Sequence, residues 1–172
     1  MAPINKNHEL KFMDRNHCAS YIKTEQKCGS LVGFTSGAFD ILHSQHINFL
    51  KQAKDACDIL IVGINSDRSV KEYKGKDRPI LGEQERLAIV SAIQYVDRIF
   101  IFDEPDNSVN LPLLEPDLFL KGGDYYAHKL HKNVNSIERP IIEKHNLKTE
   151  IVLIPTDINI SNPPKIIKKR TI

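Results

Sequence analysis

The sequence predicts an α/β fold, a five-stranded parallel sheet with helices on both faces, and three observations predict it. Short apolar runs alternate with amphipathic or polar segments from Leu31 onward in the 172-residue chain. Strands alternating with helices through short connections make a parallel sheet with right-handed crossovers. One run, Ile59-Leu60-Ile61-Val62-Gly63-Ile64, is continuously apolar between Asp58 and Asn65, the pattern of a strand buried on both faces. Finally, 41% hydrophobic and 27% charged residues over this length suit one soluble globular domain.

Taken in order, residues 1–30 are polar and aperiodic. They are expected to be an N-terminal extension, partly helical or loose, that covers one edge of the domain or stays partly disordered. The domain itself then runs over residues 31–172. Its first strand is expected at residues 31–34 and its first helix, amphipathic, at 47–56. The second strand is 59–64. Residues 67–73 are short and polar, and 74–81 form a loop of Lys, Gly, Asp and Pro. Residues 82–94 carry Leu87, Val90 and Ile93 on one side and acids in the first turn, which predicts a helix.

Residues 98–102 are the third strand, ending in an acidic turn. Ser108 is suited to cap a short helix that stops before Pro116. Residues 118–120 are the fourth strand, ended by Gly122-Gly123. A helix over 136–145 is weakened or broken by Pro140, and 150–154 is the fifth strand. Pro163-Pro164 opens a last helix, since proline is tolerated in a first turn.

Composition excludes several classes. A formal net charge of +2, with basic and acidic residues interspersed, does not call for nucleic acid. Only residues 165–170 form a basic cluster, either a solvated helix end or a phosphate contact. Three cysteines, Cys18, Cys28 and Cys57, without a C-x-x-C pair argue against a disulfide framework and suit a reducing compartment. No apolar run reaches the ~20 residues that span a bilayer, and the polar, charged start does not read as a signal peptide. The expectation is a cytoplasmic protein with no membrane partner.

Ligands of parallel sheets bind beyond the carboxyl ends of the strands. Three stretches fall on that rim: Gly37 to His46, Asn65-Ser66-Asp67, and Lys121-Gly122-Gly123-Asp124. His43 and His46, three apart at a helix start, share a face beside free N–H groups and the positive end of a helix dipole, which attract anions. The pair therefore reads as a phosphate site. By residues alone it is also a surface pair, since His128 and His131 repeat the spacing. Metal ligation is the remaining option, but no third ligand stands nearby, so no protein metal site is expected. Asp40 caps the turn or helps order it. Lys74 in a glycine-containing loop is either solvated or closes on phosphates.

The Gly37-Ala38-Phe39-Asp40 and His43-Ser44-Gln45-His46 stretches resemble the G-x-F-D-x-x-H-x-G-H pattern of the cytidylyltransferase-like nucleotidyltransferases. Asn65-Ser66-Asp67, Lys74-Gly75 with Arg78-Pro79, Glu85-Arg86, Tyr95-Val96-Asp97 and Lys121-Gly122-Gly123-Asp124-Tyr125 are similar, in order and spacing, to the adenylyltransferase domain of the bifunctional heptose-phosphate enzymes of lipopolysaccharide synthesis. The glycerol-3-phosphate cytidylyltransferases are a more distant likeness.

The resemblance implies a Rossmann-like nucleotidyltransferase fold and transfer of a nucleoside monophosphate, AMP favoured, from a triphosphate to a sugar 1-phosphate with release of pyrophosphate. A cytidylyltransferase acting on glycerol 3-phosphate or a similar polyol phosphate is the alternative, and a non-catalytic nucleotide-binding relative is another. The partners implied are a nucleoside triphosphate, a phosphorylated small molecule, Mg2+ carried on the nucleotide phosphates, and a second copy of the chain in a homodimer. Carried over residue by residue, His43, His46 and Lys74 are catalytic. Thr35, Gly37, Ala38, Phe39, Gln45, Lys121, Gly122, Asp124 and Ser161 border the nucleotide. Asp40, Asn65, Asp67, Arg78 and Arg86 are assigned to the acceptor.

Two places depart from the pattern. Gln45 stands where the family has glycine, implying a reshaped pocket or a nucleotide seated differently. Ser161-Asn162-Pro163-Pro164 replaces a hydroxyl-rich helix start, and its two prolines remove backbone donors.

Overall fold

The computed structural model describes residues 11–122 and 137–154 of the chain. Within them five parallel strands, β1 (Val32–Gly37), β2 (Ile59–Asn65), β3 (Arg98–Phe102), β4 (Leu118–Gly122) and β5 (Glu150–Ile154), form one sheet in the order β3-β2-β1-β4-β5. Helices α1 (Arg15–Lys27), α2 (Ser44–Asp55), α3 (Asp67–Lys74), α4 (Glu83–Ser91), α5 (Asn110–Leu114) and α6 (Glu138–Lys144) connect or flank them. The sheet is five-stranded, parallel and Rossmann-like, and strand order reverses at the β1/β4 junction.

Strand alternation sorts the core into two layers. Leu60, Val62, Ile64, Ile99, Leu118 and Leu120 face α2 and α4, packing with Phe49, Leu50, Ala53 and Val90. Val32, Phe34, Ile61, Phe100 and Phe119 face α1, α5 and α6, with Cys18, Ala19, Ile22, Leu111 and Leu114. Both faces are covered, which is why β2 reads as a continuous apolar run. At the amino ends, Asp58 accepts from Leu31 N–H, Asp97 from Leu60 N–H and Asp117 from Val32 N–H, at 2.7–2.8 Å. Each aspartate thus satisfies the first amides of a neighbouring strand.

The described part of the polar leading segment starts at Lys11. Met13 N–H donates to Ile99 O along the outer edge of β3, next to a bridge between Phe12 and Ile99. The chain then turns onto a face as α1. Asp14 caps this helix by accepting from the amides of Asn16 and His17. Its end is a Schellman arrangement: Ser30 N–H reaches Glu25 O, Gly29 N–H reaches Gln26 O, and Gly29 takes a φ of 94° that favours glycine.

Three expected elements are corrected. Residues 67–74 are a helix, α3, because Ser66 caps it and Val70 and Ser69 are buried beneath it. β1 runs on to Gly37, since Thr35, Ser36 and Gly37 pair with Val62, Gly63 and Ile64. Ser108 does not cap α5: its amide is tied to Asp106, and the helix starts at Asn110. The helix expected at Pro163-Pro164 lies outside the described residues.

Candidate functional site

The loop after β1 crosses the carboxyl rim at the point where strand order reverses, where open α/β sheets bind ligands. Gly37 ends β1, and Ala38, Phe39 and Asp40 are buried in the turn that follows. Phe39 adopts a left-handed φ of 48° while its ring packs in the α2-side core. That backbone conformation costs a bulky residue about 1–2 kcal/mol, offset by burial of the ring. The turn delivers His43 to the N-cap of α2 and His46 to its first turn.

There the two imidazoles converge, with ring centroids 3.9 Å apart. His43 is exposed and His46 half-buried, the latter 5.8 Å from the Phe39 ring. The His43 backbone N–H points at His46 Nδ1 at 3.4 Å. Burial holds the His46 pKa below the usual 6.5, and the charges of His43 and then Lys74 push it the same way. His46 is therefore a neutral imidazole with Nε2–H as its donor. Lys74, exposed, is the last residue of α3 rather than part of the loop, and its influence on His46 brings the three expected catalytic residues into one field. Gln45 lies exposed on the same first turn.

The expected acceptor residues are also gathered, but mostly facing inward. Asp40 Oδ1 accepts from the amides of Ile80 at 2.7 Å and Leu81 at 3.1 Å, and Oδ2 from Arg78 Nη1 at 2.8 Å. Burial alone would raise the Asp40 pKa, yet the bonds from Leu81, Arg78 and Ile80 and the Arg78 charge outweigh it and hold the carboxyl below its usual range. Asp40 thus pins the 78–81 segment, whose Arg78–Pro79 peptide is cis. Arg86 is completely buried; it donates to Leu81 O, Ala38 O, Asn65 O and Asp67 Oδ1. Its guanidinium ties together the turn after β1, the end of β2, the start of α3 and the loop before α4, leaving no exposed face for a ligand. Asn65 is likewise engaged, its amide donating to Ser69 Oγ and Glu104 O while Tyr73 OH donates to Oδ1. Arg78, with 43% of its side chain exposed, and Asp67, with 36%, keep access to the rim.

Of the expected nucleotide residues, Thr35 is buried within β1. Lys121 shares a strand face with Phe119, on the α6 side, and its Nζ meets Glu138 Oε2 at 2.7 Å. That side chain is directed away from the histidines, because successive residues of a strand point to opposite faces. Gly122 packs closely against Phe49 of α2. Asp124 and Ser161 lie outside the described residues.

Sequence reasoning passed over a polar group on the α1 side of the same rim. Ser36 and Asn107 exchange hydrogen bonds, Asn110 Nδ2 donates to Asn107 Oδ1, and Arg15 donates to both Glu104 and Asn110. The acidic turn after β3 was its one local signal; the partner residues are 71 to 95 positions distant.

A family model described as cytidylyltransferase-like matches residues 34–165. Bifunctional protein HldE from Pelobacter propionicus is 34% identical over 152 residues, covering 88% of this chain and 30% of that protein. Bifunctional protein HldE from Campylobacter fetus subsp. fetus is 47% identical over 105 residues, 60% of this chain and 23% of that protein. The chain therefore spans less than a third of the length of these relatives. A solved lipopolysaccharide core biosynthesis protein from Thermoplasma volcanium superposes with a TM-score of 0.59 at 32% identity, covering 72% of this chain and 95% of that one. A pantoate-beta-alanine ligase from Francisella tularensis shares the fold alone, at 17% identity and a TM-score of 0.57, over 84% of this chain and 66% of that one.

Proposed function

We propose, from the premise that this chain belongs to the cytidylyltransferase-like family of nucleotidyltransferases, that it transfers AMP from ATP to a sugar 1-phosphate. The observation that carries this reading is the pair His43 and His46 on the first turn of α2, at the carboxyl rim where strand order reverses. The similarity to proteins named bifunctional HldE and lipopolysaccharide core biosynthesis protein supports a sugar phosphate as acceptor.

In this reading an acceptor phosphate oxygen attacks the α-phosphorus, and the α–β bridging P–O bond breaks with its electrons leaving on pyrophosphate. No covalent bond to the protein is needed; positioning and charge stabilisation supply the rate. His46 donates Nε2–H to a phosphoryl oxygen as charge builds there, and His43 does so beside it. The backbone amides of the first turn of α2 add further donors. Lys74, at the carboxyl end of α3, approaches the leaving phosphates. Among the described residues no three His, Cys, Asp or Glu side chains converge on a cation, and Asp40 is already engaged. In this reading Mg2+ is carried on the triphosphate oxygens, where it would neutralise phosphate charge.

No helix among the described residues is long and apolar enough to cross a membrane. A cytoplasmic location and a homodimer belong to the same proposal, on the strength of the resemblance and the cysteine content.

The test is pyrophosphate release with magnesium, pairing ATP, CTP, GTP and UTP with a panel of sugar and polyol phosphates. We expect release with ATP and a sugar 1-phosphate. Release with CTP and glycerol 3-phosphate would replace that assignment. Silence across the panel, with a nucleotide still raising Tm, would identify a non-catalytic binder, the alternative that Gln45 and Pro163-Pro164 motivate.

A further inference from the structure

The residue at position 122 is glycine for a reason that lies in α2. A Cβ built on Gly122 would fall 2.3 Å from Phe49 Cδ2, 2.7 Å from Cε2 and 3.1 Å from Cγ. These are distances at which the body of the ring, not a flexible tip, would have to move. Phe49 is buried in the cluster that holds Phe39, Leu120 and Ile154. Leu118 and Leu120 of β4 point into that cluster, and Gly122 is the next residue on the same strand face, paired with Ile154 of β5. The Phe49 ring thus occupies the space where a side chain at 122 would stand.

Phe49 lies three residues beyond His46, and His46 three beyond His43, so each is the neighbour of the next across one turn at the start of α2, running from the exposed His43 through the half-buried His46 to the buried Phe49. The His46 ring is held from the other direction by Phe39, 5.8 Å away. A close-packed interior passes a displacement on rather than absorbing it. Whatever seats Phe49 at the end of β4 therefore sets how far the first turn of α2 stands from the rim.

We propose that Phe49, seated in the space left by Gly122 at the carboxyl end of β4, is a positioning residue for His43 and His46. The proposal rests on the reading of those histidines as the phosphate-binding pair. It gives Gly122 a role different from the one its motif implies: the absent side chain accommodates a helix, not a nucleotide.

The experiment compares Gly122→Ala, Phe49→Leu and the double variant in the full chain. Two readouts are taken: the imidazole resonances of His43 and His46 by NMR without substrate, and kcat and KM from pyrophosphate release. Gly122→Ala is expected to shift both imidazoles and lower kcat by about 100-fold, the cost of a displacement of about 1 Å at a reacting group. Adding Phe49→Leu should return the resonances toward wild type and recover kcat by at least about tenfold, a coupling that contacting residues show and independent ones do not. If the double variant stays as impaired as Gly122→Ala, with a raised nucleotide KM and unmoved imidazoles, the glycine serves ligand approach and the proposal is overturned. Should Gly122→Ala fail to fold, Phe49→Leu alone decides: moved imidazoles and a lower kcat at unchanged KM sustain the proposal, and unmoved imidazoles end it. The NMR readout needs no turnover. An inactive wild type would thus defeat the nucleotidyltransferase reading while leaving the positioning of the pair measurable.

Discussion

The His43 N–H faces His46 Nδ1 at 3.4 Å, and the two rings stand 3.9 Å apart between centroids. One nitrogen of His46 is thereby turned toward the backbone of its own helix start. The other is left as an N–H donor at neutral pH, a tautomer set by the hydrogen bond its partner nitrogen makes. That N–H, with the His43 ring beside it, is placed to follow charge as it develops on phosphoryl oxygens.

His46→Ala should accordingly lower kcat by about 100-fold or more while leaving KM within a few-fold, by analogy with loss of an oxyanion donor. Steady-state pyrophosphate release measures it. Near-normal turnover in the variant would remove His46 from the mechanism.

A pH dependence of stability follows from the same environment. Burial, then the His43 and Lys74 charges, hold the His46 pKa below 6.5 in the folded state, so the unfolded chain binds the proton more readily. The contribution of neutral His46 is intact above pH 6.5 and is lost as pH falls from 6.5 through the folded-state value. Urea midpoints between pH 5 and 8 should therefore fall less steeply toward acid for His46→Asn than for wild type. An NMR titration placing His46 at or above 6.5 would contradict this.

Arg86→Met should destabilise the fold by about 1–3 kcal/mol or more, the cost of leaving a buried acceptor without its donor. The loss leaves Asp67 and three carbonyls without their donor. Equilibrium urea unfolding reads it directly. Wild-type stability with a raised acceptor KM would instead return Arg86 to direct substrate contact.

Asp40→Asn keeps the shape of the side chain but turns an NH2 group toward donors. Hydrogen bonds to a charged acceptor contribute about 1.5–3 kcal/mol each. Exchange of the Ile80 and Leu81 amides should accelerate by about 10- to 100-fold in the variant, measured by hydrogen exchange. Unchanged protection would show that another contact holds the segment.

Gln45→Gly tests the departure at the first turn of α2. Gln45 is exposed there, and glycine costs a helix interior about 0.5–1 kcal/mol. We expect kcat/KM to fall, as in an enzyme whose pocket is shaped around glutamine. A rise would show instead that glutamine impairs an ancestral activity.

The strands were legible because each is a local apolar run. The third and fifth strands match residue for residue, and β2 extends one residue further. What escaped was structure carried by small or polar residues. Thr35, Ser36 and Gly37 have no strand signal of their own and are drawn into β1 by pairing with β2. α3 buries only Ser69 and Val70, too little apolar surface to show as a period. The site divides in the same way. The location of His43 and His46 was readable, since a strand, a small-residue turn and a helix follow one another in the chain.

The sequence by itself determined the parallel sheet, the rim on which three polar stretches meet, and the histidine pair at a helix start, because burial and helix geometry leave their marks on neighbouring residues. Only the tertiary structure decided which polar side chains look outward. Arg86 finds its partners at Leu81, Ala38, Asn65 and Asp67, and Asp40 finds three of its own at Arg78, Ile80 and Leu81. Most of these pairs lie 19 to 48 positions apart. A buried charge is stable only where such donors and acceptors converge, and that convergence is a property of the folded chain.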